Sequence, residues 1–181
     1  SRTGRAGLYL QVEHGWMHDF LEYMKLDPYF RKYNHHRMTF GLTYFTSENY
    51  ILVLSHDEVV HLKCSMINKM PGLGRDKFSN LKAGYTFMMG HPGKKLLFMG
   101  QDFGQLHEWD EKVSLDWYLT DEDDHRELQN VCKRTCSICT KVYLPFTART
   151  MTGNGFQWIN ANDGDRSIFS FIRGMRQVRK T

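Results

Sequence analysis

The apolar run Tyr50-Ile51-Leu52-Val53-Leu54 stops abruptly at Ser55-His56-Asp57-Glu58-Val59-Val60-His61. A short apolar run without alternation predicts a strand buried on both faces, the kind found in parallel sheets. Its sudden polar end predicts that His56, Asp57 and Glu58 stand on one rim of that sheet. In barrels of alternating strands and helices, this rim holds the active site. The residue types suit sugar chemistry. A carboxylate can hold hydroxyls and face a developing positive charge, and an imidazole can donate to a ring hydroxyl. The run by itself admits a second reading, in which Asp57 and Glu58 cap the next helix, Asp being a good N-cap residue.

Around this run the chain alternates strand and helix signals. Residues 8–12 form a short strand candidate. Trp16, Phe20, Tyr23 or Met24, and Asp27 mark a helix that Pro28 ends. Tyr29 to Asn49 reads as a loop with one short helical piece. Phe78, Leu81, Tyr85 and Met88 share a helix face closed by Gly90, and Lys94 to Gly100 is the next strand. Thr120 with Asp123 offers a capping box before a helix from about Glu122 to Val142. The period then changes. Residues 156–160 and 167–172 alternate, with turn residues Asn162 to Asp165 between them, which is a hairpin signal. Strand, helix, strand connections favour parallel pairing. At this level the pattern fits part of a barrel or a small open α/β sheet.

With 181 residues the chain is long enough for one domain with a sizeable core. Its formal net charge of +4 is matched by Arg173, Arg176, Arg179 and Lys180 in an acid-free tail. The basic balance therefore reads as a solvated end rather than a nucleic-acid surface. No apolar run approaches the span of a bilayer, and none reads as a secretory leader. Neither nucleic acid nor a membrane is expected as a partner.

The 4 cysteines suggest ordinary thiols and a reducing cytoplasm. Cys132, Cys136 and Cys139 fall on one helix face, continued by Leu128 and Tyr143. They read as a buried stripe, not as a zinc ribbon, and His35 with His36 lacks a second ligand pair. No metal or cofactor is expected.

Five blocks of this sequence, in order and in register, carry a wider resemblance. They are GWMHDFLEYMKLDP (Gly15 to Pro28), YNHHRMTFGLTY (Tyr33 to Tyr44), YILVLSHDEVVHLKCSMINKMPG (Tyr50 to Gly72), HPGKKLLFMGQDFGQ (His91 to Gln105) and EWDEKVSLDWYL (Glu108 to Leu119). Together they resemble the bacterial 1,4-alpha-glucan branching enzymes of the alpha-amylase superfamily. The resemblance implies an α/β fold, the C-terminal part (about strands six to eight) of a (β/α)8 TIM barrel, followed by the start of an all-β domain. Residues 1–149 would be the partial barrel, and 150–181 the start of the β domain with its basic tail.

The resemblance also implies a mechanism. Branching is a retaining transglycosylation that moves a segment of alpha-1,4-glucan onto a sugar 6-hydroxyl, making an alpha-1,6 branch. The family's nucleophile follows its fourth strand and its acid/base follows the fifth, so neither maps onto this chain. Asp57 matches the third carboxylate, which stabilises the transition state, and His56 matches the histidine beside it. Glu58, His61, Gln101, Asp102 and Trp109 are implied substrate-side positions. Many family members carry Glu where Asp102 stands. Trp109, Asp116 and Trp117 would form a glucan-stacking surface, since sugar CH faces pack on indole rings. The expected partners are alpha-1,4-glucan and the N-terminal part of the enzyme. The chain reads as a fragment, inactive when isolated, with sheet edges left open. A non-catalytic glucan-binding or regulatory remnant of the same family is the alternative.

Overall fold

The computed structural model describes residues 11–12, 14–40, 50–143 and 156–173, and side chains within 14–40, 51–138 and 156–173. Strands β1 (Gln11–Val12), β2 (Tyr50–Leu54) and β3 (Lys94–Leu97) form a parallel 3-stranded sheet in the order β1-β2-β3. The central strand is the apolar run of the sequence. Leu52 and Leu54 are fully buried, and Val53 nearly so. The start of the first predicted strand, residues 8–10, lies outside the described residues, as does the tail beyond Arg173. The third strand is shorter than its apolar run. Phe98 still donates to the Leu54 carbonyl (3.2 Å), but Gly100 turns the backbone at φ 75°.

Helix α1 (His14–Lys25) follows β1 and buries Trp16, Met17, Phe20, Leu21, Tyr23 and Met24. The chain after it is more helical than its composition predicts. In place of a loop with one helical piece, α2 (Pro28–Arg31), a 3-10 turn (Lys32–Asn34) and α3 (His36–Phe40) follow in succession. Residues 41–49 lie outside the described residues. Asp27 starts this series by accepting from the Tyr29 amide (2.9 Å), with Pro28 preset at the first helical position. Arg31 closes α1, donating to the carbonyls of Leu26 and Met24 and to Asn80.

Helix α4 (Arg75–Gly90) carries the predicted face, and Phe78, Leu81, Tyr85 and Met88 are all buried. Helix α5 (Asp123–Tyr143) begins where expected, but not through a Thr120 cap. Thr120 lies inside a preceding 3-10 turn (Trp117–Asp121), where its hydroxyl donates to the Trp117 carbonyl (2.7 Å). Among the described side chains, the cysteine stripe of α5 is buried at its start and exposed at Cys136. Leu128 and Cys132 face the core, and burial pushes the Cys132 thiol up to about 12, whereas Cys136 is exposed. The Cys139 and Tyr143 side chains lie outside the described residues.

Strands β4 (Phe156–Asp163) and β5 (Ile168–Arg173) form the predicted antiparallel hairpin. The turn sits later than Asn162-Asp163 suggests, because the register shifts at two places along β4 and carries the strand through them. Trp158, Phe169 and Phe171 pack onto the core against α4, and Phe156 lies against His91 just past that helix. The Phe87 ring lies 6.4, 5.8 and 5.9 Å from those of Trp158, Phe169 and Phe171. His35 stacks on Phe169 at 4.0 Å and bonds the Ala161 carbonyl through Nε2 (2.8 Å). The hairpin thus packs onto the same core as the parallel sheet.

Two predictions arise from this packing. A Cβ at Gly90 would stand 2.6 Å from the Phe171 ring, itself held by Phe156 and Trp158. Gly90→Ala should therefore destabilise the chain by about 1–3 kcal/mol, read as a lower thermal midpoint. His91 is buried between Trp16, Phe87 and Phe156. Burial, and then the Lys95 charge, pull its imidazole down from 6.5 to about 3. Between those values the unfolded chain binds a proton that the folded chain refuses, so stability falls as pH falls. The slope should approach about 1.4 kcal/mol per pH unit. Urea midpoints measured from pH 7 to pH 5 should fall accordingly, and His91→Gln should flatten the fall.

Candidate functional site

Parallel strands present their C-terminal ends on one rim, and the chain uses two adjacent ends there. After β2, His56–Glu58 make a single 3-10 turn with no side-chain cap. Asp57 lies within that turn, and the next α-helix starts only at Arg75. The helix-cap reading of Asp57 is therefore not what the local geometry realises. Its carboxylate accepts from Ser55 Oγ (3.2 Å) and stands 3.1 Å from His56 Nε2. Both side chains are about half exposed, 51% for His56 and 55% for Asp57. The pair is thus presented to solvent with oxygen lone pairs to spare.

After β3 the chain makes a second rim loop. Gly100 and Gly104, at φ 75° and 74°, bracket a 3-10 turn over Gln101–Phe103. Only residues without a Cβ reach that region cheaply, so the two glycines make this tight reversal possible. The loop then returns across the first one. Trp109 donates its amide to the Val59 carbonyl (2.8 Å). Its ring stands edge-on to His56 at 5.9 Å and to Phe98 at 5.2 Å. Sequence residues far apart, His56, Asp57 and Trp109, are thereby gathered at one point of the rim.

The other expected site residues divide. Glu58 pairs with Lys63 (3.8 Å) and Lys69 (3.7 Å), tying its own loop together. His61 is almost wholly exposed, 3.7 Å from Glu108. Gln101 points inward. It is 2% exposed, its Oε1 accepts from the Phe98 amide (3.2 Å), and its Nε2 has no partner. Asp102 turns toward α5, accepting from Gln129 (3.2 Å). Gln101 shares a small cavity with Val59 and Trp109, while Asp102 is directed to α5. Trp117 is exposed, on the turn leading into α5, with its ring 5.4 Å from Phe103. Asp116 stands 2.5 Å from His107 and takes no part in the Trp117 contact.

An open groove of about 920 Å³ runs beside Trp109 between the two rim loops, lined by His61, Asn68, His107, Glu108 and Asp116 among others. Glu108, next to Trp109 in the second rim loop, is held by two backbone amides of the first. It accepts the amides of Cys64 (2.7 Å) and Leu62 (3.0 Å). Those amides, Cys64 first, hold its carboxyl below the usual glutamate range, with His61 adding to the effect. Its position directly before the rim tryptophan was the available signal. Among the described residues, no group of His, Cys, Asp and Glu side chains is arranged to hold a metal ion, and no helix is long and apolar enough to cross a membrane.

Mixed helix and strand, with a polar pair at the end of a central parallel strand, is the arrangement of α/β proteins that carry their chemistry on rim loops. No family model matches the chain. Individual proteins do. It is 58% identical over 159 residues to the 1,4-alpha-glucan branching enzyme GlgB of Butyrivibrio fibrisolvens, covering 88% of this chain and 25% of that protein. It is 49% identical over 171 residues to the enzyme of the same name from Roseobacter denitrificans, covering 94% and 23%. The Bacillus caldolyticus enzyme matches at 47% over 170 residues, covering 94% and 25%. By sequence, the chain is a relative of the bacterial 1,4-alpha-glucan branching enzymes, matching one segment of them along nearly its whole length. It spans about a quarter of the length of those relatives.

Proposed function

We propose that this chain is the rim-bearing segment of a 1,4-alpha-glucan branching enzyme and that Asp57 is its transition-state carboxylate. The observation that carries this reading is the half-exposed His56–Asp57 pair at the end of β2, faced by Trp109. In this reading β1, β2 and β3 are strands six to eight of a (β/α)8 barrel. Residues 1–149 belong to that barrel, and 150–181 open an all-β domain. The remainder of the enzyme supplies the nucleophile and the acid/base.

The chemistry follows from position. As the glycosidic bond breaks, positive charge develops on the sugar ring carbon and oxygen. Asp57 answers that charge while holding ring hydroxyls, and His56 donates to the same sugar. Trp109 offers its ring to a sugar CH face. Glu58 and His61 support the first rim loop. Gln101, turned inward, and Asp102, bonded to Gln129 of α5, fix the second loop and act on the site through it. The substrate is alpha-1,4-glucan, with no nucleic acid and no membrane involved, in a cytoplasmic setting.

The chain alone should make no alpha-1,6 linkages in amylose, measured after enzymatic debranching, because two of the three carboxylates of the mechanism lie elsewhere. It should nevertheless be retarded in native gels containing amylose, and Trp109→Ala should lessen the retardation. Branch formation that survives Asp57→Asn, or migration indifferent to amylose, would contradict the proposal.

A further inference from the structure

We infer that Glu108 is the positioning residue of this rim, holding the loop from Val59 to Cys64 so that Asp57, His56 and Trp109 keep their arrangement. The inference takes the rim as the site of the proposed function, but its geometry can be tested without any glucan.

The loop carries an unusual conformation. Leu62 and Cys64 both adopt left-handed backbone, at φ 69° and 64°, although neither is glycine. Such residues cost about 1–3 kcal/mol each and persist only where the surroundings over-determine them. Burial does not offset that cost here, because Leu62 is 84% exposed and Cys64 is exposed. What over-determines them is Glu108. One carboxylate oxygen takes the Leu62 amide and the other takes the Cys64 amide, at 3.0 and 2.7 Å. Bonds to an ionised acceptor are about twice as strong as neutral ones.

The next residue extends the clamp. The Trp109 amide bonds the Val59 carbonyl, and the Val59 amide bonds the His56 carbonyl, both at 2.8 Å. Two consecutive residues of the second rim loop therefore grip the first at Val59, Leu62 and Cys64. From Val59 the chain of bonds leads into the turn that carries His56 and Asp57. Asn68, which donates to the Leu106 carbonyl (2.9 Å), ties the same two loops further along. Each Glu108 oxygen accepts one backbone amide of the first rim loop, so the acid acts on the turn of His56 and Asp57 through that loop.

The test compares the unaltered chain with Glu108→Ala, Glu108→Gln and a control, Lys82→Ala, which removes a surface ion pair with Glu127 (2.9 Å). The readouts are amide exchange at Leu62 and Cys64, and the resonances of the His56 imidazole and Trp109 indole. With Glu108→Ala, exchange at both amides should rise about tenfold or more, as expected on losing a bond to a charged group. The His56 and Trp109 resonances should move with it. Glu108→Gln keeps an acceptor oxygen but loses the charge, and should move both sets part of the way. Lys82→Ala should move neither. If the loop amides open while His56 and Trp109 stay in place, or if nothing moves, the positioning role is wrong. Should Glu108→Ala fail to fold, Glu108→Gln decides by the same criteria. A parallel titration of the unaltered chain with maltoheptaose keeps the two ideas apart. An unresponsive rim would refute the glucan reading and leave the clamp to stand or fall on the unliganded spectra.

Discussion

Asp57→Asn should lower turnover by about a hundredfold or more in a branching enzyme that carries residues 50–119 of this chain, while leaving its melting temperature almost unchanged. The dissociation of the two effects is the point. Asp57 is more than half exposed and, among the described residues, bonds Ser55 and His56 within its own turn. Asn has the same shape and keeps an oxygen for Ser55. Substitutions at such surface positions usually change stability by no more than about 0.5 kcal/mol. The loss of charge matters only where positive charge develops on the sugar, so it should appear in kcat rather than in KM. His56→Ala should do less, because a neutral donor faces less of that charge. A kcat within a few-fold of the parent hybrid would leave Asp57 without a catalytic part.

Phe87→Ala should have the largest effect on the fold, about 3–5 kcal/mol of lost stability. Phe87 is 8% exposed and touches four aromatic partners: His91 on its own side, and Trp158, Phe169 and Phe171 of the hairpin. Removing the ring leaves a cavity at the junction rather than within one element. The hairpin should therefore detach before the parallel sheet unfolds. Amide exchange should rise throughout β4 and β5 at denaturant concentrations where β2 remains protected. A single cooperative loss of all strands would show that the hairpin is not held mainly through this ring.

These two residues illustrate what the sequence made legible. The strand end ahead of Asp57 could be read because an unbroken apolar run stopped at Leu54, and burial leaves such a strand little choice of structure. Phe78, Leu81, Tyr85 and Met88 could be read because their spacing matches one face of a helix. Phe87 belongs to a different face of α4, the one that meets the hairpin, and a single-face pattern does not reveal a second partner. The helical turns between Pro28 and Phe40 were hidden for another reason. They begin at the local start signal of Asp27 and Pro28, and Arg31 holds them by reaching Leu26 and Met24 nearby and Asn80 far along the chain, the last a contact that local spacing does not reveal. Thr120 had the right spacing for a capping box, but its hydroxyl is used by the turn before the helix. Glu108 was visible as a residue and invisible as a clamp, since its partners Leu62 and Cys64 are distant in sequence. Gln101 and Asp102 followed a strand end, as rim residues do, yet the paired glycines rotate that turn so that one faces the core and the other faces α5.

Residues 50–119 should be interchangeable with the corresponding segment of a branching enzyme. This is tested most directly by exchanging that segment into the Butyrivibrio fibrisolvens enzyme, with which this chain shares 58% identity over 159 residues. New alpha-1,6 linkages in amylose would then be counted after debranching. The hybrid should melt near its parent and keep branching activity of the same order. A hybrid that folds with the parent's melting temperature but forms no branches would contradict this expectation.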